Sequence, residues 1–255
     1  MAAAEAAVVT GASSGIGEAI AAALLDYGVP VVTMQRSAPK LKHAHLHFRQ
    51  VDLTDLAATR QAANDIAAEF PIRYLVNNAG ANCPNPLEKA TVEELNYVTT
   101  ITLGAAMVLI QSFVPAMRRA KFGRIVNISS RAILGKSERI VYASAKAGLE
   151  GMTRVVAIET GADGITVNSV MPGPVVTAHF HRGHPDGSVK RQTVIDKVLV
   201  KRLGTPQDVA HAVMVLLARE SGFIIFAAVL ASARSLLEKF CSATILSIAL
   251  RSITE

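Results

Sequence analysis

Tryptophan is absent, and aromatic residues make up only 5% of the 255-residue chain. A core built from this composition, 51% apolar, must be filled by Ala, Val, Ile and Leu. Few aromatics also means no base-stacking partners interleaved with the cations. The net charge of +6 comes from scattered Lys and Arg, with modest clusters at 118–124 and 131–139. A solvated face, with some attraction for an anionic cofactor, accounts for that charge, and no nucleic-acid partner is expected. Cysteine is nearly missing too. Cys83 and Cys241 lie far apart and have neither metal nor redox spacing, so a reducing cytoplasm is the expected compartment. No apolar run reaches the ~18–20 residues that cross a bilayer, which argues against a membrane partner. The first residues lack a basic segment and Glu5 interrupts them, so a signal peptide is not expected. There are no repeats and no linker, and the length suits one α/β domain.

What the chain does have is concentrated between Ser129 and Lys146. Arg124–Ile128 reads as a buried strand ending in the hydroxyls of Ser129 and Ser130. Tyr142 and Lys146, four apart on a helix, share one face at about 5–6 Å between Cβ atoms. An ammonium that close is expected to pull the phenol's pKa down and prepare it for proton transfer. A reacting partner is implied near the start of the chain. The apolar run Ala6–Val9 leads into Thr10-Gly-Ala-Ser-Ser-Gly-Ile-Gly17, and a helical pattern follows. Three glycines in seven residues cost chain entropy. Close approach to a ligand explains them better than a plain turn, with backbone N–H groups meeting a pyrophosphate.

The remaining pattern alternates strand and helix, which predicts a parallel sheet covered on both faces. Further strands are expected at Val29–Met34, Leu46–Val51, Tyr74–Val76 and Ile165–Met171. Helices are expected from about Asp55 to Phe70, from a Thr91/Glu94 capping box to about Arg119 (strained near Pro115), and from Tyr142 to Glu159. From Pro172 to about Val200 periodicity is lost. His179, His181 and His184, like His43, His45 and His47, have no Cys or carboxylate company at suitable spacing, so no metal is expected.

Thr10–Gly17, Asn77-Asn-Ala-Gly80, the serine pair with Tyr-x3-Lys, and Pro172-Gly-Pro-Val-Val-Thr177 occur together in one order. In this the chain resembles the short-chain dehydrogenase/reductase family, over roughly residues 6–224. It is similar to the branch that includes 3-oxoacyl-carrier-protein reductases and sugar or polyol dehydrogenases. The resemblance implies a single-domain Rossmann fold, a doubly wound parallel sheet with a substrate lid at about 174–200. It also implies an NAD(P)-dependent oxidoreductase acting on a small carbonyl or secondary alcohol. Tyr142 would be the general acid and base, with Lys146 tuning it and holding the nicotinamide ribose. A serine would hold the substrate oxygen: spacing selects Ser129, whereas aligning the strand selects Ser130, which is preferred because loops absorb deletions. Thr102 stands where the family has a fourth catalytic asparagine, whose main chain holds a relay water.

Cofactor contacts implied by the resemblance fall on Gly11, Ser13, Ser14, Gly15, Ile16, Gly17, Asp52, Leu53, Asn78, Ala79, Gly80, Pro172, Gly173, Val175 and Thr177, besides Tyr142 and Lys146. Asn77 would prop the sheet. At the end of the second strand Thr33-Met-Gln-Arg36-Ser37 offers no carboxylate, and Arg36 can bind a 2′-phosphate, so NADP is expected ahead of NAD. A homo-oligomer is expected, a dimer or tetramer through the helices near 91–119 and 142–159. A catalytically weak nucleotide-binding sensor or scaffold is the other reading, suggested by Thr102 and by the tail.

The resemblance ends near Ile224. Beyond it Phe226, Val229, Leu230, Ala233, Leu236, Leu237 and Phe240 recur at helical spacing. An atypical helical tail over about 227–250 is expected, with at most a remnant of a seventh strand around Ile224–Val229.

Overall fold

The computed structural model describes residues 4–225 and 227–230. Strand β1 (Ala6–Thr10) leads into helix α1 (Gly15–Asp26), followed by β2 (Val31–Gln35), β3 (Leu46–Gln50), α2 (Leu56–Glu69) and β4 (Ile72–Asn77). Next come α3 (Val92–Thr99), α4 (Ala105–Ala120), β5 (Gly123–Ile128), α5 (Ile140–Thr160) and β6 (Ile165–Met171). Then follow α6 (Ala178–Gly183), α7 (Val189–Asp196), α8 (Pro206–Leu217) and β7 (Ala228–Leu230).

The seven strands form one parallel sheet in the order β3-β2-β1-β4-β5-β6-β7. Side chains alternate across it, as a two-residue period dictates. Ala6 and Val8 of β1 enter one core with Ile66 of α2 and Leu109, Phe113 and Met117 of α4. Ala7 and Val9 enter the other, with Ile20 and Leu24 of α1 and Val213 of α8. Burial on both faces explains why these strands read as unbroken apolar runs. Because β1 pairs with both β2 and β4, the chain crosses over between them, and a crevice opens at the carboxyl ends of β1 and β4.

Several boundaries differ from expectation for identifiable reasons. Strand β2 begins at Val31, after Pro30, whose nitrogen has no proton for the ladder. The capping box forms, with Thr91 accepting from Glu94 N–H and Glu94 accepting from Thr91 N–H. Pro115 sits inside α4, and the helix changes character earlier, in a π-helical turn at Thr100–Gly104 that joins α3 to α4. The joined helix, Val92–Ala120, is long and apolar enough to cross a membrane, which the reading of apolar runs did not foresee. Its Val98, Leu109, Phe113 and Met117 are instead fully buried in the protein's own core. The aperiodic stretch after Pro172 contains α6 and α7, capped by the hydroxyls of Thr177 and Ser188. Caps and local ion pairs such as Arg191–Asp186 shape these short helices, with no apolar stripe to announce them.

The helical expectation for the tail is overturned at its start. Ala228–Leu230 is a parallel strand beside Ser169–Met171. Asn168 explains this: its amide accepts from Ala227 N–H at 2.8 Å and donates to the Ile224 carbonyl at 2.8 Å, steering the chain alongside β6. The short strand matches the remnant foreseen around Ile224–Val229. The remainder of the expected helix lies outside the described residues.

Candidate active site

The turn after β1 is locked from below. Thr10 Oγ1 accepts from Asn78 N–H at 3.0 Å and Ala79 N–H at 2.9 Å, while the Asn78 amide donates to the carbonyls of Thr10 and Gly11. Thr10 is therefore central to the turn. Gly11 and Gly15 have φ near +66° and +64°, the left-handed region that glycine alone adopts freely. A Cβ on Gly17 would stand 2.4 Å from the Gly11 carbonyl oxygen, so no larger residue fits there. Ser14 occupies the N-cap of α1 in extended conformation, with no side-chain cap hydrogen bond. The first N–H groups of that helix are thus not taken by their cap, next to Ser13, Gly15 and Ile16. Thr177 lies above this turn, its Cγ2 3.3 Å from where a Gly15 Cβ would be. Its hydroxyl caps α6 by accepting from Phe180 N–H.

Gln35, at the carboxyl end of β2, was overlooked in the sequence. It is buried, and its Oε1 accepts from Ala12 N–H at 3.0 Å, tying β2 to the same turn, while Nε2 has no protein partner. Arg36 follows it at the surface. Asp52 is exposed as well; the Thr54 N–H and hydroxyl hold its carboxyl below the usual value, and Arg36 adds a smaller pull. The Leu53 side chain belongs to the hydrophobic core.

The second cluster sits at the ends of β4 and β5. Asn77 donates to Asn127 at 2.8 Å, Asn127 donates to Thr153 at 2.8 Å, and Thr153 donates to the Leu149 carbonyl. This chain of bonds fixes α5 against β4 and β5. The two serines diverge. Ser129 is buried, with its hydroxyl 3.5 Å from the Lys146 carbonyl, whereas the Ser130 hydroxyl accepts from Ala132 N–H at 3.2 Å and stands close enough to the Tyr142 phenol to pull its pKa down.

Lys146 is buried, and its Nζ donates to the Ile128 carbonyl at 2.6 Å while standing 5.9 Å from the Tyr142 ring centre. Burial lowers its pKa to about 8, against a smaller raising effect of Glu150. The expected lowering of the Tyr142 pKa by Lys146 is not what this geometry gives. Burial raises the phenol's pKa, and the opposing pulls come from the Ser130 hydrogen bond and the Arg139 charge. The ammonium spends its short hydrogen bond on the Ile128 carbonyl. Gly80 meets the same cluster, because a Cβ there would stand 3.3 Å from Lys146 Nζ and 3.4 Å from Thr102 Oγ1. Thr102 lies in the π turn, buried, with its hydroxyl unpartnered by protein. Such turns are often found at functional sites.

Pro172 and Gly173 follow β6, and the Pro172 carbonyl accepts from Arg131 N–H. Val175 is buried and pairs with Gly204 in a short parallel bridge. Among the histidines, His181 pairs with Asp186, His184 stacks on Phe180, and His47 packs against Phe70.

The two clusters are contiguous through Ala79-Gly80. A tight glycine turn at a helix N-terminus, next to a phenol, a hydroxyl and a buried ammonium, fits a pyrophosphate-linked cofactor with its reactive end at Tyr142. Unpartnered Gln35 Nε2 and Thr102 Oγ1 stand at opposite ends of that path.

Known proteins resemble this chain in sequence and fold. The chain is 34% identical to the 3-oxoacyl-(acyl-carrier-protein) reductase of Escherichia coli over 226 residues, covering 86% of this chain and 91% of that protein. It is equally 34% identical over 225 residues to an acetoacetyl-CoA reductase of Shinella zoogloeoides, covering 86% of this chain and 92% of the relative. A solved 3-oxoacyl-(acyl-carrier-protein) reductase of Agrobacterium tumefaciens with NADP bound superposes with a TM-score of 0.80 at 25% identity, covering 90% of this chain and 93% of that one. Residues 5–187 match the short chain dehydrogenase family, and on that match the chain belongs to it.

Proposed function

We propose that this protein is an NADP(H)-dependent oxidoreductase that interconverts a carbonyl and a secondary alcohol. The observation that carries the reading is a buried Tyr142 phenol beside the Ser130 hydroxyl, with Lys146 enclosed behind it and its Nζ 5.9 Å from the ring centre. A nicotinamide dinucleotide held along the β1 and β4 edge supplies or accepts the hydride. For reduction, Tyr142 gives its proton to the substrate oxygen and Ser130 donates a hydrogen bond as charge develops there. For oxidation, Tyr142 takes the proton back. Lys146 steadies the phenolate left behind. Its ammonium, and the Thr102 hydroxyl beside it, are placed to share a water through which the phenolate is reprotonated.

The glycine turn and the α1 N-terminus would hold the pyrophosphate, with Gly11, Ser13, Ser14, Gly15, Ile16 and Gly17 around it. Ala79 and Gly80 let the cofactor approach the sheet, and Pro172, Gly173, Val175 and Thr177 close over it. Arg36 is the residue for a 2′-phosphate, and the NADP in the Agrobacterium tumefaciens relative supports that choice. A homo-oligomer is part of the proposal, because Leu95, Met107, Val155 and Ile158 are exposed apolar residues on α3, α4 and α5. A cytoplasmic setting agrees with the free thiol of Cys83.

Single-turnover hydride transfer from NADPH and NADH to a panel of ketones, followed at 340 nm, tests the reading. Transfer to at least one ketone, faster with NADPH, is expected. Tight NADPH binding with no transfer to any ketone, and none from secondary alcohols to NADP⁺, would replace it with the sensor or scaffold reading.

A further inference from the structure

The loop between β5 and α5 gathers positive charge that the chemistry above does not use. Arg131 stands directly after Ser130, opening a 3-10 turn. Lys136 follows, and Arg139 occupies the N-cap of α5, one turn before Tyr142. Burial, and then the neighbouring charges of Arg139 and Arg131, push the Lys136 pKa down. Burial does the same to Arg131, and the Arg139 charge reaches the Tyr142 phenol. Among the described residues none of the three forms an ion pair, whereas Arg118, Arg191, Arg202 and Arg219 each do. Arg139 spends one donor on the Glu138 carbonyl. The Glu138 carboxylate shares the rim and pairs with none of them. Lys136 and Arg139 also line an open cavity of about 380 Å³, with Asn85, Leu87, Ala132 and Ala143.

We propose that this loop is an anion-binding rim, and that the substrate carries a carboxylate or phosphate a few bonds from the reacting carbon. The inference rests on the oxidoreductase reading and names its substrate class. Arg139 and Arg131 stand close enough to Lys136 for their charges to repel its ammonium, and an arriving anion relieves that repulsion. Arginine's planar fork matches both carboxylate and phosphate. Arg139, at the N-cap of α5, stands three residues before Tyr142, and its charge reaches the Tyr142 phenol. An anion at Arg139 therefore leaves the far end of a short substrate at Tyr142. The cofactor's own phosphates belong at the β1–α1 turn, so they do not account for this loop.

Matched pairs provide the test: 4-oxopentanoate against its methyl ester, and dihydroxyacetone phosphate against dihydroxyacetone. With NADPH, the anionic member of at least one pair is expected to show kcat/KM about tenfold or more above its neutral partner, and the pair that does so identifies the anion. Lys136→Gln and Arg139→Gln should each shrink that ratio about threefold to tenfold, and 0.5 M NaCl should shrink it in the wild type by screening. Calorimetric titration of 4-oxopentanoate, its methyl ester and dihydroxyacetone phosphate into the NADP⁺-loaded protein reads the same site without turnover. Anion binding that both variants weaken, with no hydride transfer to any ketone, supports the rim and sinks the oxidoreductase reading. Transfer to the neutral members with no anionic preference, and ratios unmoved by either variant, overturns the rim alone, as does calorimetry in which no anion binds more tightly than its neutral partner.

Discussion

The turn after β1 and the loop after β5 both leave the carboxyl edge of the same sheet, but different forces hold them. In the first, Thr10, Gln35 and Asn78 turn inward and satisfy backbone groups, leaving the outer face to glycines and helix N–H groups. In the second, side chains form the surface. Ser130 stands beside Tyr142, and Arg131, Lys136 and Arg139 form no ion pair among the described residues. A backbone cradle recognises what every dinucleotide shares, whereas side chains set which substrate oxygen is protonated and what else that substrate carries. Substitutions should therefore separate the two halves cleanly.

The largest separation is expected at Tyr142. Tyr142→Phe removes one hydroxyl from the substrate half and nothing from the cradle. It should lower kcat by roughly 10²–10⁴-fold and leave the NADPH dissociation constant, read by fluorescence titration, nearly unmoved. A phenylalanine variant with wild-type kcat would make Tyr142 structural and dissolve the distinction.

Lys146 joins the halves, and its burial can be read as a pH effect. Its pKa falls from 10.5 to about 8 in the folded protein. Below pH 8 both states hold the proton, and between about 8 and 10.5 only the unfolded chain still does. The unfolded state then binds more protons, so this group's contribution makes stability rise with pH through that window. At 1.36 kcal/mol per pKa unit, the rise is about 3 kcal/mol at most. Urea unfolding at several pH values should show the rise in the wild type and its loss in Lys146→Met. Parallel curves for the two proteins would mean that Lys146 is solvated. Turnover in the reductive direction should fall above pH 8, as the ammonium that steadies the phenolate is lost.

The same contrast explains what was legible in the sequence. Strands buried on both faces were readable where nothing polar interrupts them, as in Ala6–Val9, and the glycine turn because its backbone admits few other residues. Side-chain direction was not readable: whether Ser129 or Ser130 meets Tyr142 depends on where β5 ends, which Ser129 N–H bonding to Val170 helps to set. Gln35 gave one signal, a polar residue closing an apolar strand, but its partner Ala12 is distant in sequence. Helices α6 and α7 escaped because two hydroxyl caps define them and no apolar period does. The tail misled because Phe226–Leu230 suits either period, and a single side chain, Asn168, decides for the strand.

A smaller effect is expected at the support beneath both halves. Asn127→Ala strips the acceptor from Asn77 and the donor from Thr153, all within the core. Leaving a buried polar group unpaired costs about 1–3 kcal/mol, visible as a lower urea midpoint at unchanged slope. Ser188→Ala, which removes only the α7 cap, should cost less than about 1 kcal/mol in global unfolding because α7 has no buried residues. Equal losses would show that the lid and the sheet unfold as one unit.

An effect of about tenfold is expected where the cradle meets solvent. Arg36 is the exposed cation proposed for the nucleotide half, and its charge reaches Asp52. Asp52 is held chiefly by Thr54, so Arg36 is not committed to it and keeps its fork available for a 2′-phosphate. An exposed contact of this kind is screened by salt and is worth about one power of ten at moderate ionic strength. Arg36→Ala should therefore lower kcat/KM for NADPH about tenfold and leave that for NADH within about twofold. The ratio of the two should also converge in the wild type as NaCl is raised. Equal use of both cofactors, unmoved by the substitution, would show that this edge does not select the cofactor and that the cradle binds any dinucleotide through its backbone alone.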